Sequence, residues 1–277
     1  RVEHIMKRFG YEEIYGENSI KNALKTRFGV HDGDLYELVH ERLSKAKEPT
    51  FNFVLTLSNH PPYSVPQNFI GPITSSNAPT KLKNKIIDKN NFNKRMRAVA
   101  YADHALGEFF TNAMQSPYFN ETLFVLTSDH AHDMALKWEP EEYYLQKKIP
   151  LLFHSPLLLN TIYSDNENFG SHLDMIPTIL SMISDKTIKI HSWGRSLFQV
   201  PKVKLLLSYH INCLNDFCIK NADARPLQPH KIRRNEKIKL CTSNSCFEKS
   251  ENLSKIIDAF SNSGFNYLYN FRFDNNP

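Results

Sequence analysis

The chain has 277 residues, enough for one large α/β domain or two small ones with a sizeable core. With 41% hydrophobic and 23% charged residues it is not a disordered chain. Its net charge of +5 suits an anionic substrate or a membrane surface, while the scatter of its lysines speaks against nucleic acid. The sequence has no G-x-G-x-x-G, P-loop or G-x-S-x-G motif, so dinucleotide, nucleotide and serine-hydrolase readings lack support. It has no run of 18 apolar residues. It opens on Arg1-Val2-Glu3-His4 without a signal peptide, so a longer precursor carrying upstream targeting or anchoring sequence is expected.

In chain order, Asp32-Gly33-Asp34 offers N-cap candidates before Leu35, Leu38, Val39 and Leu43, which share one helical face. Phe51 to Leu57 is an apolar run that ends in Ser58-Asn59-His60. The lysine- and asparagine-rich stretch from Lys83 to Lys94 reads as a solvated lead into a long helix. That helix, from about Phe92 to Met114, repeats Met96, Val99, Leu106, Phe109 and Phe110, and Ser116-Pro117 stops it. Thr122 to Thr127 runs into Ser128-Asp129-His130, and Ile149 to Phe153 into His154-Ser155-Pro156. Short apolar runs bounded by polar turns predict strands buried on both faces. A helix over Asp174–Ile183 carries Pro177 early. This alternation predicts an α/β fold with a doubly wound, mainly parallel sheet.

The texture changes after residue 200. Strands are expected over Val203–Tyr209 and Lys237–Leu240, a helix over Leu253–Phe260, and loose alternation from Phe265 to Phe273. The expected organisation is a main domain over 1–200 with a small antiparallel subregion, 201–277, packed on it. Cys213-x4-Cys218 and Cys241-x4-Cys246 suit two local disulfides, which would favour an extracytoplasmic location. Zinc is the rival, although the spacing is looser than a C-x2-C knuckle.

In open parallel sheets, ligands bind beyond the carboxyl ends of the strands. His60, Asp129 and His130 stand at such ends and can converge in one crevice. An Asp-His pair offers a hard oxygen and an imidazole to a divalent metal. The plain alternative is that Asp129 caps a helix and His130 is merely polar. His154 precedes a turn, and His172 and Asp174 sit at a helix start, so structural roles are expected for all three. Asp103 and His104 read as face residues of the long helix. Arg195 suits either an anionic ligand or a hydrogen-bonding role.

Several segments carry a resemblance. Gly29-Val30-His31-Asp32-Gly33-Asp34-Leu35, Leu55 to Tyr63 with Ser58-Asn59-His60-Pro61-Pro62-Tyr63, Tyr101 to Phe110, Ser116 to Val125, Ser128-Asp129-His130, Lys148 to Phe153, Ser171 to Thr178 and Gly194-Arg195-Ser196-Leu197-Phe198 follow one another in order. Together they resemble the lipoteichoic acid synthase branch of the sulfatase and alkaline phosphatase superfamily. The resemblance implies a metal-activated Thr or Ser nucleophile that takes a phosphoryl group from a lipid or other phosphodiester, and more broadly a lipid-linked or other anionic phosphate or sulfate ester as the substrate class. It implies Mn²⁺ or Zn²⁺ as cofactor, Asp129 and His130 as metal ligands, and His60 as a substrate-phosphate ligand. His132 is either a further substrate or metal residue or a loop histidine.

The resemblance also implies an enzyme on the extracytoplasmic face of a bacterial membrane, tethered through a part upstream of these motifs. The nucleophile and first acidic ligand belong to that upstream part, so residues 1–277 alone are expected not to catalyse the reaction. The transferred group would be phosphoglycerol or phosphoethanolamine. A sulfatase or phosphodiester hydrolase of the same superfamily, and a non-catalytic domain that keeps the fold, are the alternatives.

Overall fold

A computed structural model of the chain describes residues 2–21, 23, 25–132, 134–138, 148–158, 170–192 and 194–199, and the backbone of five short strands beyond residue 204. The chain divides into two compact units, Arg1–Ile162 and Tyr163–Pro277.

The first unit is built on helix α4, Lys89–Ala113, about 37 Å long at 1.5 Å per residue. Asp88 caps it, its side chain accepting the N–H of Asn91 at 2.9 Å; this bond holds the Asp88 carboxyl below its usual range. One face of α4 carries Phe92, Ala98, Tyr101, Ala105, Phe109 and Ala113, all buried. The alanines let α2, Asp32–Lys45, approach closely. Tyr36 of α2 stacks on Phe109 with centroids 5.1 Å apart. The lysine-rich lead is partly core: α4 already begins at Lys89, and Phe92 is fully buried against Ala78, Ala135, Met96 and Leu136. Two further helices are short, α1 at Val2–Arg8 and α3 at Thr80–Lys83.

The run 51–57 forms no ladder with any described strand, and Phe51, Phe53 and Leu55 are exposed. Its end is fixed by side-chain bonds from α2. The other two apolar runs form β1, Phe124–Thr127, and β2, Leu151–His154. They pair antiparallel, with Phe124 opposite His154 and Thr127 opposite Leu151. An apolar run reports burial, not strand direction. The antiparallel register lets His154 join the rings of Phe110, Phe119 and Phe124, at 5.6 to 6.2 Å between centroids. Thr127 Oγ1 also donates to the Pro150 carbonyl at 2.9 Å.

In the second unit, α5 spans His172–Ile183. Ser171 and Asp174 form a capping box, and buried Asp174 also accepts the Arg195 N–H at 2.9 Å. Thr178 is fully buried; its hydroxyl donates to the Asp174 carbonyl and accepts from Leu197 N–H. Farther on, β3 (Leu205–Leu206), β4 (Ile211–Leu214), β5 (Phe217–Lys220), β6 (Lys239–Cys241) and β7 (Cys246–Glu248) form an antiparallel meander in sequence order. The helix expected over 253–260 and the alternation over 265–273 lie outside the described residues. No helix among the described residues is long and apolar enough to cross a membrane.

Candidate metal and substrate site

Asp129 and His130 lie just beyond the end of β1, after Ser128, and both are exposed. Asp129 Oδ1 accepts the His130 backbone N–H at 2.8 Å. The His130 ring lies with Nδ1 2.9 Å from the Ala131 carbonyl. A carbonyl oxygen only accepts, so Nδ1 carries the proton there, and neutral His130 keeps its lone pair on Nε2. Nε2 stands 3.5 Å from Asp129 Oδ2. That gap is about the edge of a tetrahedron with metal bonds of roughly 2.1 Å. The Nδ1–H···O=C bond is the kind of support that orients a ligating histidine. The pair therefore fits two ligands of a divalent ion. No group of three or more His, Cys, Asp or Glu side chains gathers to hold a metal among the described residues.

His60 sits in the turn after the exposed apolar run. Its Nδ1 donates to the Pro61 carbonyl at 2.8 Å, and its ring stands edge-on to Phe28 at 4.6 Å. With Leu57, Ser58 and Pro62 it borders a shallow groove. Buried Asp32 fixes the approach to this turn. Its Oδ1 accepts the N–H groups of both Leu57 and Ser58 at 2.9 Å, and Ser58 Oγ accepts the Asp32 N–H at 3.1 Å. The N-cap of α2 is His31, and Asp32 is the first helical residue; its side chain serves the neighbouring segment instead of capping.

His132 is half-buried and meets the His60 turn through Tyr63. His132 Nε2 lies 2.8 Å from Tyr63 Oη, while its Nδ1 accepts the Met134 N–H at 3.2 Å. The proton is therefore on Nε2, donated to Tyr63. Burial, then the charge of Arg95 and that of His130 whenever it is protonated, pushes the His132 pKa below its ordinary value, which keeps this neutral form. The Arg95 guanidinium lies 5.4 Å over the Tyr63 ring. Tyr63, Met134 and Ala135 all have positive φ, 63°, 56° and 54°. Non-glycine residues in this region store strain, and strain gathers where geometry is held for function. Tyr63 N–H also donates to the His60 carbonyl at 2.8 Å, so His60, Tyr63 and His132 form one connected arrangement.

The structure thus brings Asp129 to His130, and the His60 turn to His132. The motif Ser58-Asn59-His60-Pro61-Pro62-Tyr63 held the signal for Tyr63, and Gly29 to Leu35 held that for Asp32; Arg95 had none. His154 packs among phenylalanines. Asp103 and His104 are exposed on α4. In the second unit, Asp174 is a helix-start residue, His172 is exposed, and the Arg195 guanidinium donates to the carbonyls of Ser196 and Gln199.

The family model of the sulfatases matches residues 2–184. The chain belongs to the sulfatase family. This sulfatase-family chain is 21% identical over 209 residues to lipoteichoic acid synthase 1 of Bacillus subtilis (strain 168), covering 71% of the chain and 31% of that protein. It is 21% identical over 210 residues to the lipoteichoic acid synthase of Staphylococcus saprophyticus, covering 70% of the chain and 30% of that protein. It spans about a third of the length of these relatives. The crystal structure of the lipoteichoic acid synthase LtaP from Listeria monocytogenes superposes with a TM-score of 0.63 at 17% identity, over 95% of the chain and 66% of that structure. An alkaline phosphatase superfamily protein from Vibrio parahaemolyticus gives 0.60 at 23% identity, over 90% and 56%. The fold is α/β of the alkaline phosphatase type with a small antiparallel sheet, and the relatives support the lipoteichoic acid synthase-like branch.

Proposed function

We propose that this chain supplies metal-ligating and substrate-binding residues of an extracytoplasmic, membrane-tethered transferase that moves phosphoglycerol or phosphoethanolamine from a lipid-linked donor. The carrying observation is the Asp129–His130 pair: one carboxylate oxygen and one oriented imidazole nitrogen 3.5 Å apart. A bound Mn²⁺ or Zn²⁺ supplies Lewis-acid polarisation of the ester and a lowered pKa for an oxygen nucleophile. Asp129 and His130 would hold it. His60, once protonated, donates from both ring nitrogens, so that Nε2–H is available to an anionic ester oxygen while Nδ1–H stays on Pro61. Neutral His132 presents its Nε2–H toward Tyr63, where a substrate oxygen can compete for it. The nucleophile is assigned to no residue of this chain. The net charge of +5 suits an anionic headgroup.

Mn²⁺ binding, followed by loss of the free-ion electron paramagnetic signal, tests the assignment. Asp129→Ala and His130→Ala are each expected to weaken binding about tenfold or more. His60→Ala should keep metal affinity and lose affinity for glycerol phosphate. Undiminished Mn²⁺ and Zn²⁺ binding in both ligand variants refutes the proposal. In the full-length protein, diacylglycerol release from phosphatidylglycerol supports transfer, and sulfate release from an aryl sulfate supports the sulfatase alternative.

A further inference from the structure

The four cysteines occupy one row of the second unit's meander. The backbone register sets Cys213 opposite Cys218, Cys218 opposite Cys241, and Cys241 opposite Cys246. Residues directly opposed in an antiparallel sheet share a face, because side-chain direction alternates with period two. One row across β4, β5, β6 and β7 therefore collects every cysteine of the sequence.

Three neighbouring couples compete, and the ladder separates them. Two residues lie between β4 and β5, so Leu214 opposite Phe217 is the closing couple. A two-residue connection closes on a hydrogen-bonded couple. Hydrogen-bonded and non-hydrogen-bonded couples alternate along the ladder, so Cys213 opposite Cys218 is non-hydrogen-bonded. A residue directs its N–H and C=O to the same side. Cys218 and Cys241 therefore form the wider, hydrogen-bonded couple, and Cys241 and Cys246 again form a narrow one. Narrow couples have Cα atoms about 4.5 Å apart and the closer side chains, against about 5.5 Å for wide ones. Disulfide bonding needs Cβ atoms only roughly 3.5–4.5 Å apart. Both narrow couples are also the ones within a single hairpin.

The same row excludes a single four-cysteine zinc site. Three gaps separate Cys213 from Cys246, roughly 14–16 Å in all. Thiolates about 2.3 Å from one tetrahedral ion cannot reach across that row.

We infer that this chain carries two cross-strand disulfides, Cys213–Cys218 and Cys241–Cys246, side by side on one face of the meander. Each forms by exchange with an external disulfide such as oxidised glutathione. One thiolate attacks a glutathione sulfur and releases one reduced glutathione. The second thiolate displaces the other. Two electrons pass to glutathione and two protons leave the protein. The pairing does not depend on the catalytic proposal.

The sequence makes the test direct. Trypsin cuts after Lys204, Lys220, Lys239 and Lys249, giving Leu205–Lys220 with Cys213 and Cys218, and Leu240–Lys249 with Cys241 and Cys246. The full chain, equilibrated with oxidised and reduced glutathione, is blocked with N-ethylmaleimide in acid, digested without reductant and weighed. The expected result is two separate peptides, each lighter by two hydrogen atoms than its reduced form and unlabelled. A Cys218–Cys241 cross-link joining the two peptides, four labelled thiols, or one zinc ion released on thiol blocking would each overturn the assignment. The double variant Cys213→Ser/Cys218→Ser should leave the Leu240–Lys249 peptide oxidised; its loss there also counts against independent pairs.

Discussion

Asp32 ties the start of α2 to the segment that leads into His60, and the cost of removing it can be worked from two bonds. Asp32 is 1% exposed and its Oδ1 accepts from Leu57 N–H and Ser58 N–H, each at 2.9 Å. In Asp32→Ala both amides lose their partner. A buried unsatisfied group costs about 1–3 kcal/mol, so the pair costs roughly 2–6 kcal/mol, reduced where water reaches the gap. That is a large part of the roughly 5–15 kcal/mol that holds an ordinary domain together. Asp32→Asn keeps an acceptor at Oδ1 and loses only the charge assistance, about 1 kcal/mol per bond. The expected order of stability is wild type, Asn variant, Ala variant. Urea unfolding of the purified chain, followed by far-ultraviolet circular dichroism, measures the gaps. Hydrogen exchange at the Leu57 and Ser58 amides locates them. Equal stability of the Ala and Asn variants, or unchanged exchange at the two amides, refutes the reasoning.

Tyr36 is pushed up to about 12 by burial and then by the Asp32 charge. A raised folded-state pKa gives stability that is complete below the unfolded value near 10 and lost as pH climbs toward 12, at most about 2–3 kcal/mol. Urea midpoints for Tyr36→Phe should therefore fall less than wild type between pH 9.5 and 11.5; an identical fall contradicts this. Phe92→Ala should cost about 3–5 kcal/mol, because a fully buried ring is removed from a core that includes Ala78 and Ala135. Thermal unfolding gives the value, and a loss under about 1 kcal/mol counts against the packing described. In the second unit, a Cβ on Gly194 would stand 1.9 Å from the Leu173 carbonyl oxygen. Gly194→Ala should displace Arg195 from Asp174 and open the 190–199 segment to protease, and Thr178→Val should destabilise by about 1–3 kcal/mol by stranding the Leu197 amide.

The helices were readable where large apolar residues repeat. Phe109 and Phe110 marked α4, and Leu35 with Leu38 marked α2. The packing face of α4 was less readable, because Ala98, Ala105 and Ala113 carry it while Val99, which matches the helical period, is exposed. Small residues that allow close approach leave no peak in a hydrophobic pattern. Strand direction was illegible for a similar reason: burial fixes which residues are apolar, and the partner fixes parallel or antiparallel. Of the candidate site, Asp129, His130 and His60 stood out by residue type at run ends. Tyr63 was marked only as the end of the Ser58–Tyr63 motif and Arg95 not at all, because their role comes from contacts over long sequence separations with His132. The cysteine spacing suggested local pairs, but only the β5–β6 register sets all four in one row.

The segment from Phe51 to Leu55 has a practical consequence. Phe51 is 66% exposed, Phe53 55% and Leu55 54%, in a segment with no ladder to a described strand. Such a stretch is adhesive toward any chain able to lie alongside it, including a duplicate of itself. Solutions of this polypeptide will cloud as they are concentrated, and a lysine at position 53 will keep them clear.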